Sequence, residues 1–263
     1  MRRYRKPHKI RRKTSIFKKK FFWIFILVLI FFFGSVYLVS FASFFNIKEI
    51  KISGNKKVST NDISELINQE IIRNFWKFSS KSIFLANVGK AKDDLLKKFP
   101  QIEDINFKRK LPGSLIVEAK ERTIVAIFCP DSDCFSIDKG GVIFEKIDVI
   151  SSEFPKITNI QGKTKFYLGE KIIDEMILSF IIDVKNKLAT TSKIAIQEFD
   201  LISDQKLILK AKEGWEVYFN LTEDSDWQVE KLVIVLEKEI LPEKRKDLEY
   251  IDLRFTRVYF KYR

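Results

Sequence analysis

The stretch Phe21–Phe45, FFWIFILVLIFFFGSVYLVSFASFF, runs for 25 residues without a charged side chain. As a helix rising about 1.5 Å per residue it reaches roughly 37 Å, enough to cross a hydrocarbon core of about 30 Å with some tilt. A lone segment in lipid can satisfy its backbone only within itself, so the stretch reads as one transmembrane helix. Trp23 and Tyr37 lie toward its two ends. Amphipathic rings favour the interface there, which makes these two the expected membrane-anchoring residues. The run is longer than the apolar part of a signal peptide and no small-residue cleavage pattern follows it, so the helix is expected to be retained.

Working outward toward the N-terminus, residues 1–20 hold eleven Lys or Arg and no acid. The positive-inside rule places this tail in the cytoplasm and the C-terminal bulk outside, in a single-pass arrangement. Setting those eleven charges aside reduces the formal net charge from +13 to +2. The basic character therefore belongs to the tail and not to a nucleic-acid-binding face. Beside a membrane helix the natural partner of such a run is anionic lipid, at about 1 kcal/mol per charge near the surface.

Toward the C-terminus, Asn46–Ser53 reads as a short strand closed by Gly54-Asn55. Ser59 and Asp62 resemble a capping box, and Ile63, Leu66, Ile67 and Ile71 recur at helical spacing. Residues 74–82 read as irregular. Val88, Ala91, Leu95, Leu96 and Phe99 mark a second amphipathic helix, stopped by Pro100. Ile102, Ile105 and Phe107, then Leu115, Val117 and Ala119, mark two strands joined around Leu111-Pro112-Gly113. The order β-α-α-β-β predicts two helices on one face of a three-stranded sheet.

From Thr123 the pattern turns to strands. Residues 124–129 and 134–137 flank the turn sequence Pro130-Asp131-Ser132-Asp133, and 137–144 forms another strand–turn–strand. A further strand is expected over 157–160. Ile172, Ile173, Met176, Ile177, Phe180, Ile181, Val184 and Leu188 predict a helix over 170–189, with Met176 and Phe180 in its core stripe. Strands are expected over 194–200, 207–210 and 215–220. A third amphipathic helix carries Trp227, Leu232, Val235, Leu236 and Ile240. The end, LEYIDLRFTRVYFKYR, alternates as one half-buried strand, with nothing expected to extend past it.

No convergent reactive constellation is visible. The single histidine, His8, lies in the basic tail. No nucleophile elbow, metalloprotease motif or phosphate-binding glycine loop is present, and no catalytic, cofactor-binding or metal-binding residue is assigned. Cys129 and Cys134 close one hairpin loop. Outside the membrane they read either as a disulfide or as two small apolar residues. Two thiols with no nearby histidine would leave a zinc ion short of ligands.

The segments FNIKEIKISGNKKVSTNDISELI and KSIFLANVGKAKDDLLKKFPQIEDINFKRKLPGSLIVEAKERTIVAIF resemble a POTRA domain, in particular that of the FtsQ/DivIB bacterial cell-division family. The matching pieces are Ile50 with Gly54-Asn55, Phe99-Pro100 with Ile102, Arg109 with Leu111-Pro112, and Glu121-Arg122 with Val125-Ala126. Residues 137–144 resemble that family's "ID-x-x-G-x-V-F" segment. Ile251-Asp252-Leu253-Arg254 and Val258-Tyr259-Phe260-Lys261 are similar to its C-terminal signature. The fold class expected is α+β: a basic cytoplasmic tail at 1–20, a transmembrane helix at 21–45, a POTRA domain at 46–121, and at 122–263 an FtsQ-type, β-rich mixed domain with two helices.

The resemblance implies a non-enzymatic divisome scaffold of the cell membrane, expected at the septum. It would bind FtsB/FtsL-like bitopic partners by strand addition at its last sheet region and couple early division proteins to septal wall synthesis. That role is carried to Phe255, which follows the matched Leu253-Arg254. Val258, Tyr259, Phe260 and Tyr262 are added as partner-binding candidates from edge exposure and aromatic composition. Arg254, Arg257, Lys261 and Arg263 have a competing reading as charges that blunt an edge. The alternative function is a POTRA-bearing extracytoplasmic factor that captures clients or assists translocation through the same edge. An anchored wall enzyme is the third class.

Overall fold

The computed structural model describes residues 20–41, 43–71, 73–75, 78–160, 165–191 and 194–263. The apolar run forms helix α1, Lys20–Phe41. Among the described residues it is the one helix long and apolar enough to cross a bilayer. Phe21, Trp23, Phe31 and Tyr37 are exposed on it, so these apolar rings are left for a surrounding solvent, as lipid requires. The basic tail through Lys19, with His8, lies outside the described residues.

Contacts divide the chain into two units. One comprises Met1–Ile52, Ser64–Ala91 and Phe107–Val117; the other comprises Ser53–Ile63, Lys92–Asn106 and Glu118–Arg263. After α1 come β1 (Glu49–Ser53), α2 (Thr60–Ile71), β2 (Arg73–Phe75), β3 (Phe78–Ser80), α3 (Val88–Lys98), β4 (Ile102–Lys110) and β5 (Ser114–Glu121). The sheet order β1-β5-β4 and the two helices reproduce the expected β-α-α-β-β pattern. Ile63, Leu66 and Ile67 of α2, Ala91 and Leu95 of α3, and Leu115, Val117 and Ala119 of β5 are all buried, as their spacing predicted. Within 74–82, expected to be irregular, β2 and β3 pair antiparallel, Phe75 opposite Phe78. Three-residue strands held by backbone hydrogen bonds leave no period-2 signal to read.

The remaining elements are β6 (Ala126–Phe128), β7 (Cys134–Ile137), β8 (Ile143–Ile147), β9 (Lys156–Ile160), α4 (Glu175–Thr191), β10 (Ile196–Ser203), β11 (Lys206–Ala211), β12 (Glu216–Asn220), α5 (Ser225–Lys238), β13 (Leu248–Asp252) and β14 (Tyr259–Tyr262). All these strands join one sheet in the order β14-β13-β12-β11-β10-β9-β6-β7-β8. Phe199, Leu209, Val217 and Ile251 from the strands share one buried cluster with Leu178 and Ile181 of α4 and Leu232 of α5. The other face of the sheet carries a small apolar cluster around Ile127 and, on the central strands, ion pairs. Lys210 Nζ lies 3.0 Å from Glu198 and 2.7 Å from Asp200, and Lys156 lies 3.3 Å from Glu198. The hydrogen bond to Asp200 leads the causes that raise the Lys210 pKa above its ordinary value.

The structure corrects further expectations. Helix α4 starts at Glu175, not at 170: Asp174 Oδ1 accepts the Met176 N–H at 2.9 Å, and Ile172 and Ile173 are buried ahead of the helix. The stripe therefore merged two segments. Leu178, absent from it, faces the core and Met176 is 80% exposed, whereas Phe180 is half-buried and packs against the core as expected. Trp227 is likewise exposed, in the first turn of α5. The C-terminal segment is two strands, with Ile251 opposite Phe260 and Asp252 opposite Tyr259. Its apolar alternation continues across a turn, so the period alone does not show the reversal.

The turn after β1 supplies a test. Gly54 has φ of 86°, and a Cβ there would collide with the carbonyl oxygen of Ala119. The Glu121 carboxylate holds the following residues by accepting the N–H groups of Lys56 at 2.7 Å and Val58 at 2.9 Å. Gly54→Ala is expected to destabilise the protein by at least about 2 kcal/mol in denaturant titration.

Candidate functional site

The site is built on the last two strands. β13 lies inside the sheet, parallel to β12 with Val217 opposite Ile251, and the Leu253 N–H extends that pairing to Tyr218 O at 3.0 Å. β14 pairs with β13 on one side and forms the end of the sheet. Val258, Phe260 and Tyr262 are half-buried and pack on the core. Tyr259 is 56% exposed, and Phe255, in the turn, is 52% exposed. Their rings meet edge-on with centroids 5.8 Å apart. The five partner-binding candidates thus divide into three that seat the strand and two that present an aromatic surface.

The Arg263 N–H donates to Asp247 O at 2.8 Å, toward β13. Antiparallel alternation then turns the backbone groups of Phe260 and Tyr262 to the open side. Three of the four cations near this edge have partners within the chain, and Arg257, in the turn, is exposed. Arg254 binds Asp252, Lys261 lies 2.6 Å from Glu249, and the Arg263 guanidinium donates to Gly214 O. The far end of the sheet differs: Ile143 of β8 accepts the Gly169 N–H at 2.7 Å and donates to Glu170 O at 3.0 Å, so that edge is partly covered.

Two polar contacts fix the turn between β13 and β14. Lys231 of α5 is buried, and its Nζ donates to Leu253 O at 2.8 Å and Phe255 O at 3.0 Å. Sequence reasoning missed it, although it shares the stripe spacing of Gln228 and Val235. Asp252, also buried, accepts from Arg254 Nε at 2.9 Å and from its terminal nitrogen at 2.6 Å. Burial pushes the Asp252 carboxyl up, but the Arg254 hydrogen bonds, with the charges of Arg254 and Lys206, outweigh it and hold the pKa below its ordinary value. Tyr218 stacks on Tyr250 at 5.1 Å; burial first, then its hydrogen bond with Glu216, pushes its phenol up to about 12.

The other sequence candidates lie elsewhere. Trp23 and Tyr37 are exposed on α1. Cys129 and Cys134 are joined in a disulfide with a Cα–Cα distance of 4.2 Å, within an apolar cluster that includes Ile127. Among the described residues no group of acids, histidines and cysteines is placed to hold a metal.

Two family models match the chain: "POTRA domain, FtsQ-type" over residues 45–122, and "Cell division protein FtsQ/DivIB, C-terminal" over residues 131–254. Cell division protein DivIB of Clostridium tetani is 28% identical over 134 residues, which cover 50% of this chain and 46% of that relative, so the match spans about half of either protein. DivIB of Clostridium botulinum strain Hall is 25% identical over 261 residues, covering 94% of this chain and 91% of the relative. A solved structure of the major extracytoplasmic domain of DivIB from Geobacillus stearothermophilus aligns at 13% identity and a TM-score of 0.27, covering 46% of this chain and 99% of that one.

The turn yields two expected outcomes. Asp252→Asn is expected to cost about 1–3 kcal/mol at neutral pH. Because the folded-state pKa is depressed, the wild-type advantage is present above the ordinary aspartate value of 3.8 and is lost as pH falls through the lower folded value, which unfolding titrations at several pH values would show. Lys231→Met leaves two carbonyls without their donor and is expected to cost about 1–3 kcal/mol, with faster amide exchange across 253–258.

Proposed function

Because the chain belongs to the FtsQ/DivIB family of cell division proteins, we propose that it is a membrane-anchored divisome scaffold that binds FtsB/FtsL-like bitopic partners by adding their strand to β14. The observation that carries this reading is an edge strand whose outward backbone groups adjoin the exposed Phe255–Tyr259 pair, with Arg254, Lys261 and Arg263 each bonded within the chain. Main-chain hydrogen bonds supply affinity in such an addition and the aromatic pair supplies specificity. Anchoring both partners in one membrane raises their effective concentration.

The proposal includes an orientation: tail in the cytoplasm against anionic lipid, and bulk outside at the septum. It divides that bulk near residue 121 into a POTRA domain and an FtsQ-type domain. The mechanism is binding, without catalysis, and it serves to couple early division proteins to septal wall synthesis.

The test is the double variant Phe255→Ala, Tyr259→Ala in the full chain. Both side chains are exposed, so unfolding stability should change by no more than about 0.5 kcal/mol. Co-purification of the bitopic partners should fall at least about tenfold, the loss of a central aromatic anchor. Undiminished binding would remove the interface, and a fluorescent fusion spread evenly over the membrane at all stages would favour a client-binding factor instead.

A further inference from the structure

Three exposed apolar side chains sit on segments tied to the first residues after α1: Phe44, Phe84 and Leu111 are 60%, 44% and 57% exposed. Phe44 belongs to the single turn Ser43–Phe45. Its neighbour Phe45 meets Phe84 edge-on at 5.4 Å. The Ile83 N–H donates to Phe45 O at 2.9 Å, and the Ile47 N–H donates to Lys81 O at 3.0 Å. From the β4–β5 turn, Gly113 O accepts the Lys48 N–H at 2.8 Å. A Cβ at 113 would collide with Asn46 O, a close approach that glycine permits. Arg109 donates to Ala86 O at 3.1 Å, joining the two loops.

Chain length then places this surface. At no more than about 3.6 Å per residue, Phe44 lies within about 11 Å of the end of α1, and Lys48 within about 25 Å. Lys48, Lys81 and Lys110 are exposed beside the apolar tips. Glu49, the acid in this stretch, lies 3.4 Å from Lys51.

We propose that Phe44, Phe84 and Leu111, flanked by Lys48, Lys81 and Lys110, form a docking face for the anionic lipid surface of the leaflet where α1 emerges. The apolar tips enter the headgroup–acyl boundary and the lysines reach lipid phosphates, the division of labour of an interfacial anchor. The occupant is lipid because the face is continuous with the membrane-spanning segment. This rests on α1 spanning the bilayer, and the experiment separates the two.

The full chain would be reconstituted in vesicles of phosphatidylglycerol and phosphatidylcholine with a nitroxide at Leu111→Cys or, separately, at Val28→Cys. The native cysteines are bonded to each other and leave no free thiol. Oxygen should relax the label at 111 more than a water-soluble nickel chelate does. Combining Leu111→Cys with Lys48→Glu and Lys110→Glu should lower that preference at least about threefold, as removal of headgroup attraction requires. A label at 28 immersed in lipid with an aqueous label at 111 overturns the docking face and leaves the anchor standing; aqueous labels at both positions overturn the anchor. Equal immersion at 111 in pure phosphatidylcholine and in the charge-reversed variant overturns the anionic requirement.

Discussion

The Lys231 ammonium, buried beneath the turn it holds, sets the end of the large sheet. An ammonium removed from water is costly unless its protons are engaged, and here two go to Leu253 O and Phe255 O. Those carbonyls belong to the residues at which β13 ends and the chain reverses. The turn is thereby fixed to α5, and β14 is laid down in a defined register beside β13.

The proposed strand addition requires an edge that is ordered without being covered. Here the order comes from one face, where Val258, Phe260 and Tyr262 pack on the core, and from the Asp252–Arg254 pair at the turn. The outward side keeps its backbone groups. Free edges are commonly protected by charge; here Arg254, Lys261 and Arg263 are bonded within the chain, and Arg257 is exposed in the turn. The same kind of anchoring recurs where Glu121 fixes the β1 turn and where Arg122 contacts Pro100 O at 3.0 Å.

Much of this was legible in the chain. The apolar run, the β-α-α-β-β order and the hairpins around 130–133 and 139–141 follow from composition and period, which are local properties. The errors arose where two segments shared one apparent period. Ile172 and Ile173 continued the stripe of α4 without belonging to it, and the alternation of 248–262 ran unbroken through a reversal. Lys231 was passed over because a lysine on a helix is ordinarily solvated.

The sequence by itself determined the anchor, the charge asymmetry across it and the class of each long element, because hydropathy and periodicity act residue by residue. Only the tertiary structure decided which strand is the edge, which aromatic rings face outward and which cations are engaged. Those depend on pairings between residues far apart in the chain, such as Lys231 with Phe255 and Arg263 with Gly214, and no local pattern encodes them.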